Sequence, residues 1–194
     1  MGKKCLEHPA NLDNPTEIVG ASEARIPLYR DVLLLMTLAG AFLADQISKL
    51  IIKNWLLLYE SWPASGLIRI THGTNSGTAF GLFPDQTFIL IIASFLAIGF
   101  LVYFYRTHSV PNIFLRLAVG LQLGGAFGNL LDRVRFGEVV DFIRVGWWPT
   151  FNLADSAIVI GIGLLVLGIL FGEGTRGDGK HNKKYPLETN ENSK

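Results

Sequence analysis

"FILIIASFLAIGFLVYFY", residues 88 to 105, runs for 18 residues without a charge. A helix crossing the hydrocarbon core of a bilayer needs roughly 20 mostly apolar residues, within a range of about 17–25, so this stretch predicts a membrane span. Three more apolar runs lie around it: "VLLLMTLAGAFLADQISKLII" (32–52), "LAVGLQLGGAFGNLL" (117–131) and "AIVIGIGLLVLGILF" (157–171). The last two reach spanning length only with their flanks, and the first only if Asp45, Gln46, Ser48 and Lys49 are accommodated. Buried helices of a soluble protein would explain any one of the shorter runs, but four in a chain of 194 residues favour a membrane. The expected fold class is an all-α integral membrane protein, four transmembrane helices with a small extracytoplasmic β element.

Composition agrees. Hydrophobic residues make up 49% of the chain and charged ones 17%, against about 25% charged in soluble proteins. A net charge of +1 provides no basic field for nucleic acid, so none is expected as a partner. Residues 1–27 read as a flexible polar N-terminal arm without a cleavable signal, 28–172 as the four-helix membrane domain, and 173–194 as a polar cytoplasmic C-terminal tail. The single cysteine, Cys5, excludes an intrachain disulfide and reads as a plain cytosolic thiol.

Cytoplasmic loops carry an excess of Lys and Arg. With four spans, both tails and the 106–116 loop share a side holding 11 of the 17 Lys and Arg, which predicts both termini in the cytoplasm. Between the first two spans, Trp55, Tyr59 and Trp62 suit the membrane–water interface. "GLIRITHGTNSGTAF" and "RVRFGEVVDFIRVGWWPTF" have the β-branched residues and glycines of short strands, and together make the expected β element.

Antiparallel threading carries Asp45, Lys49, Asn129, Asp132, Arg133, Asp141 and Asp155 to one leaflet; Arg30, Asp31, Arg106 and Arg116 lie at the other. Ionisable groups in spans are costly, so they face the bundle interior, pair and mark function. Asp45 and Lys49, four residues apart, share a helix face and can pair; the plainer reading has Lys49 snorkelling outward. Asp132, beside Arg133, is expected to be structurally paired with it. In "TFNLADSAI", Asn152 can cap a helix and Asp155, three residues on, can complete a capping box worth about 0.3–1 kcal/mol. That leaves Asp141 in "VVDF" unexplained, since on a strand Arg144 points to the opposite face.

Two carboxyls brought to the same depth suggest a shared proton, because carboxylates about 3 Å apart cannot both ionise. The protonated acid can polarise an amide carbonyl while the carboxylate activates water. The helix N-terminus favours the anion at Asp155, which makes Asp141 the expected proton holder. That chemistry needs neither metal nor cofactor, and none is expected: His8, His72, His108 and His181 are scattered. The glycines of "GLQLGGAFGNLL" lie within an apolar run and suit close helix packing.

Five motifs in order, "DQISK" (45–49), "NSGTAFGLF" (75–83), "GGAFGNLLDR" (124–133), "VVDF" (139–142) and "FNLADS" (151–156), make residues 30–172 resemble a bacterial lipoprotein signal peptidase, or signal peptidase II. The resemblance implies a membrane aspartyl endopeptidase that cuts diacylglyceryl-modified prolipoproteins just before the lipidated cysteine. It implies Asp141 and Asp155 as the catalytic pair, with Asp45, Lys49, Asn75, Gly128, Asn129, Asp132, Arg133 and Asn152 lining or supporting the site. Lipid-modified prolipoproteins, as substrates, and membrane lipids are the implied partners, with the active site near the outer leaflet; a monomer is expected. Asp132 is the main rival to Asp141. A small proton-coupled transporter using the same acids is the alternative, but a transport path would place acids at the midplane or at both leaflets, and here they gather at one end.

Overall fold

The computed structural model describes residues 28–77, 86–107 and 112–172, the side chains of 171 and 172 aside. The proposed arm and tail, residues 78–83 of the glycine-rich motif, and His8, His108 and His181 lie outside the described residues. Among the described residues, four helices are long and apolar enough to span a membrane: α1 Val32–Trp55, α2 Thr87–Thr107, α3 Ile113–Phe136 and α4 Leu153–Gly172. The described strands, β1 Ser61–Trp62, β2 Ile68–Asn75 and β3 Val139–Val145, form one antiparallel sheet in the order β1-β2-β3.

The helices exceed their apolar runs because polar residues end them. Asp31 caps α1 by accepting the Leu34 N–H at 3.2 Å, and Asn112 caps α3 by accepting that of Leu115 at 2.8 Å. Gly137, left-handed at φ 78°, stops α3 and sends its N–H back to Arg133. α3 is the most buried helix and packs against each of the other three. Leu34, Leu101, Tyr105, Leu115, Val119 and Leu123 form one core cluster. A second, Ile52, Val140 and Phe142, seats the sheet on the end of α1.

At the opposite end from the sheet, Asp31 is buried and accepts the Tyr105 hydroxyl, while Arg116 Nε lies 3.3 Å from the same carboxylate. That clasp joins the start of α1 to the end of α2 and the start of α3.

Close packing depends on α3 glycines. A Cβ at Gly125 would lie 2.4 Å from the Ala154 carbonyl oxygen on the first turn of α4, an atom that cannot swing aside. Gly125→Ala is therefore expected to push α4 off α3 and destabilise the protein by about 1–3 kcal/mol, read as a lower Tm in detergent micelles. Gly163→Ala, where a Cβ would meet nothing within 4 Å, is the control expected to leave Tm unchanged.

Candidate active site

The site forms where β3 hands the chain to α4. After β3 the chain reverses through Gly146, at φ 52°, and Phe151 bridges back to Ile143. The Phe142 and Ile143 N–H groups both donate to the Phe151 oxygen, at 3.0 and 2.8 Å, and the Phe151 N–H donates to Ile143 at 3.0 Å. This short return sets Asn152 beside Asp141. Asn152 then caps α4: its Oδ1 accepts the Asp155 N–H at 3.0 Å, and Asp155 Oδ2 accepts the Asn152 N–H at 3.3 Å. That is the reciprocal pattern of a capping box, and it brings Asp155 to the same place.

Asp141 and Asp155 both line a cleft of about 980 Å³, with Asn75, Asn129, Arg133 and Asn152. Amides connect the two carboxyls. Asn152 Nδ2 donates to Asp141 Oδ1 at 2.7 Å and to Asn129 Oδ1 at 3.1 Å. Asn129 Nδ2 donates to Asp155 Oδ1 at 2.8 Å, and Asn75 Nδ2 to Asp141 Oδ2 at 3.1 Å.

The polarity of this relay is fixed from outside. Lys49 can only donate, so the Asn129 Oδ1 that faces it at 3.0 Å is an acceptor and its Nδ2 must turn to Asp155. The Gly77 N–H donates to Asn75 Oδ1 at 3.0 Å, turning the Asn75 Nδ2 to Asp141 in the same way. All four carboxyl oxygens thus receive a donor. Burial first, and then the charge of Asp155, push the Asp141 carboxyl up to about 6, against the lowering effect of Asn75 and Asn152. The paired carboxyls expected from the sequence are thus joined through amides rather than by a direct hydrogen bond.

Beneath the relay lies an ionic centre. Lys49 Nζ is 2.8 Å from both Asp45 Oδ2 and Asp132 Oδ2. Lys49 is only 3% exposed, so it does not snorkel. Asp132 faces Lys49 rather than its neighbour Arg133, which corrects the expected pairing: adjacent helical residues point away from each other. It is absent from the cleft lining, whereas Arg133 is present there with its Nε buried and unpartnered, among the charges of Asp155, Asp141 and Asp132.

Asp45 also caps α4 from another helix, accepting the Ala154 N–H on Oδ1 at 3.0 Å. Gly128 makes room for it, since a Cβ there would lie 2.5 Å from Asp45 Oδ2. The sequence reading overlooked Gln46, whose Nε2 reaches Asp45 at 3.1 Å and both the Gly128 carbonyl and Asp132 at 3.3 Å. Its place in "DQISK", beside Asp45, was the available clue. Among the described residues no three His, Cys, Asp or Glu side chains group as a metal-holding set. Chemically, the arrangement offers two carboxyls opening onto one cleft, with the Asp141 carboxyl held toward its protonated form.

The profile of the family described as "Signal peptidase (SPase) II" matches residues 37–171. A protein named "Lipoprotein signal peptidase" from Syntrophotalea carbinolica is 42% identical over 151 residues, covering 74% of this chain and 92% of that one. One of the same name from Halothermothrix orenii is 42% identical over 127 residues, covering 64% of this chain and 86% of its own. A solved bacterial membrane enzyme, determined by the in meso method at 2.3 Å resolution, superposes with a TM-score of 0.68 at 30% identity, over 76% of this chain and 93% of that structure.

Proposed function

We propose, for a chain that belongs to the signal peptidase II family and removes signal peptides from prolipoproteins, that Asp141 and Asp155 are its catalytic pair. The chain is a multi-pass protein of the bacterial inner membrane. The observation that carries the catalytic assignment is the sharing of one cleft by these two carboxyls, with Asp132 turned away onto Lys49.

In this reading a water sits between the carboxyls. Asp155, at the positive end of α4, takes a proton from it as oxygen bonds to the scissile carbonyl carbon. Asp141 gives its proton to the carbonyl oxygen, leaving a neutral diol. As the C–N bond breaks, the proton on Asp155 passes to the leaving amine and a diol proton returns to Asp141. Arg133 offsets the negative charge of the cleft. Hydrolysis falls just before the lipidated cysteine of a diacylglyceryl-modified prolipoprotein. Both termini are cytoplasmic and the sheet end meets the outer leaflet. The Lys and Arg distribution supports this placement, as do Trp55, Trp62, Trp147 and Trp148, all exposed around the sheet end. The enzyme acts as a monomer among membrane lipids.

The test is kcat/KM against pH on a diacylglyceryl-modified prolipoprotein, with the protein reconstituted in liposomes. An acid pushed up to about 6 keeps its proton below that pH and loses it above, so an alkaline limb should begin near 6. Asn75 donates to Asp141 and favours its charged form. Asn75→Ala should therefore move the limb to higher pH. An unprocessed substrate overturns the reading, and a limb unmoved by Asn75→Ala overturns the role of Asp141 as proton holder.

A further inference from the structure

The β2–β3 pair runs on past the cleft to a closed end, where the Gly146 N–H donates to the Leu67 carbonyl at 2.7 Å. Ile68 stands opposite Val145 there, then Arg69 opposite Arg144 and Ile70 opposite Ile143. These three pairs keep one register, because the irregularity of the ladder lies beyond them, between Ile70 and Gly73. Residues directly opposite share a face of the sheet, so Arg69 and Arg144 stand side by side. Neither lines the catalytic cleft.

Like charges directly opposite destabilise a sheet, and among the described residues no carboxylate pairs with either guanidinium. Arg69 Nε is buried and has no acceptor, a costly state for a donor. Other cations toward this end of the molecule are provided for. Lys49 has two carboxylates, and Lys53 and Arg135 lie against the Phe136 ring, at 4.0 and 5.1 Å from its centroid. The arginine pair thus holds two charges with nothing to balance them. Around it Trp62, Leu67, Ile68 and Trp147 are largely exposed. Such apolar surface is no use to a free anion in water. It suits a bilayer interface, with the apolar tip among acyl chains and the guanidiniums at the depth of the phosphates.

We propose that Arg69 and Arg144 together bind the phosphate of an anionic phospholipid of the outer leaflet and so seat the sheet on the bilayer. The choice of leaflet rests on the orientation proposed above; the headgroup chemistry does not. A guanidinium presents a planar fork that matches phosphate oxygens two at a time, and two forks side by side need an anion between them. A zwitterionic headgroup brings its own cation to the phosphate and leaves the arginine charges unbalanced. A phosphodiester without an ammonium group balances them. The lipid on the substrate is a diacylglyceryl group, which carries no phosphate, so this site is separate from the one that takes the substrate.

The experiment is a thermal-shift titration of the full chain in uncharged detergent micelles with dioctanoyl phosphatidylglycerol, dioctanoyl phosphatidylcholine or inorganic phosphate. The native Tm should rise saturably with phosphatidylglycerol and stay unchanged with the other two. Arg69→Gln combined with Arg144→Gln should need about tenfold more phosphatidylglycerol for half the shift. Without lipid it should be no less stable than the native protein, because the like-charge contact is gone. Arg69→Lys with Arg144→Lys keeps the charge but loses the fork, and its half-point should fall between the two. Lys53→Gln, which removes another cation at this end, should titrate as the native protein does. A native Tm that ignores phosphatidylglycerol overturns the proposal, as does phosphatidylcholine or phosphate giving the full shift. A native half-point in the glutamine pair, or a loss as large in Lys53→Gln, overturns it too. If the glutamine pair does not fold, an unchanged half-point in the lysine pair overturns it. In phosphatidylcholine liposomes, slower cleavage by the glutamine pair only of substrates with acids after the cysteine would give the arginines to the substrate instead. The titration reads neither cleavage nor sidedness, so its failure leaves the peptidase reading standing.

Discussion

Asp141→Asn and Asp155→Asn are each expected to lower single-turnover cleavage of a diacylglyceryl-modified prolipoprotein by about 10²–10⁴-fold, the range for loss of a positioned acid or base. Asparagine matches the shape of aspartate but neither takes a proton from water nor gives one to a carbonyl. The surrounding donors still find one amide oxygen at either position, with the second donor at each facing an NH₂ group. Both variants should therefore insert and unfold near the native temperature, which separates lost chemistry from lost structure. Asp132→Asn is the comparison. Asp132 lies under the cleft against Lys49, so this change should reduce Tm more than it reduces cleavage. Retained cleavage by Asp141→Asn together with its loss in Asp132→Asn would transfer the catalytic role to Asp132.

Lys49→Met is expected to be the most damaging single change to stability. It leaves Asp45 and Asp132 buried around a vacated cation position, and breaking a buried ion pair from one side costs about 3–5 kcal/mol. It also releases Asn129, whose orientation Lys49 fixes. A large fall in Tm in detergent, with poor yield of folded protein, is the measurement. Neutralising the whole centre, Asp45→Asn with Lys49→Met and Asp132→Asn, should recover much of the loss, because no uncompensated charge then remains. A Lys49→Met protein as stable as the native one would show that the centre does not hold the bundle together.

The four spans, the capping box at Asn152 and Asp155, and the strands on either side of the site were legible in the sequence. Each is written locally, in the length of an apolar run, a spacing of three residues, or β-branched stretches beside glycines. Helix ends were underestimated, because the polar residues that extend α3 to Phe136 do not read as apolar. Partners across helices were not legible. Asp45 and Lys49 could be paired by their spacing, but the second partner of Lys49 lies 83 positions away, at Asp132. Adjacency pointed to Arg133 as the partner of Asp132, although neighbouring helical residues face different ways. The amide relay escaped for the same reason, since Asn75, Asn129 and Asn152 come from three separate segments. The clasp of Asp31, Tyr105 and Arg116 likewise joins three helices through residues that look like ordinary helix-end polar groups.

The ionic centre also bears on how the chain is made. Asp45 and Lys49 neutralise each other within about one turn, so these two buried groups of the first span enter lipid already compensated, with Lys53 left near the helix end. Asp132 finds its cation on another helix, at Lys49, although Arg133 and Arg135 lie on its own. Seating that acid therefore requires the first and third segments to meet, and biogenesis is drawn toward the helix pairing on which hydrolysis later depends.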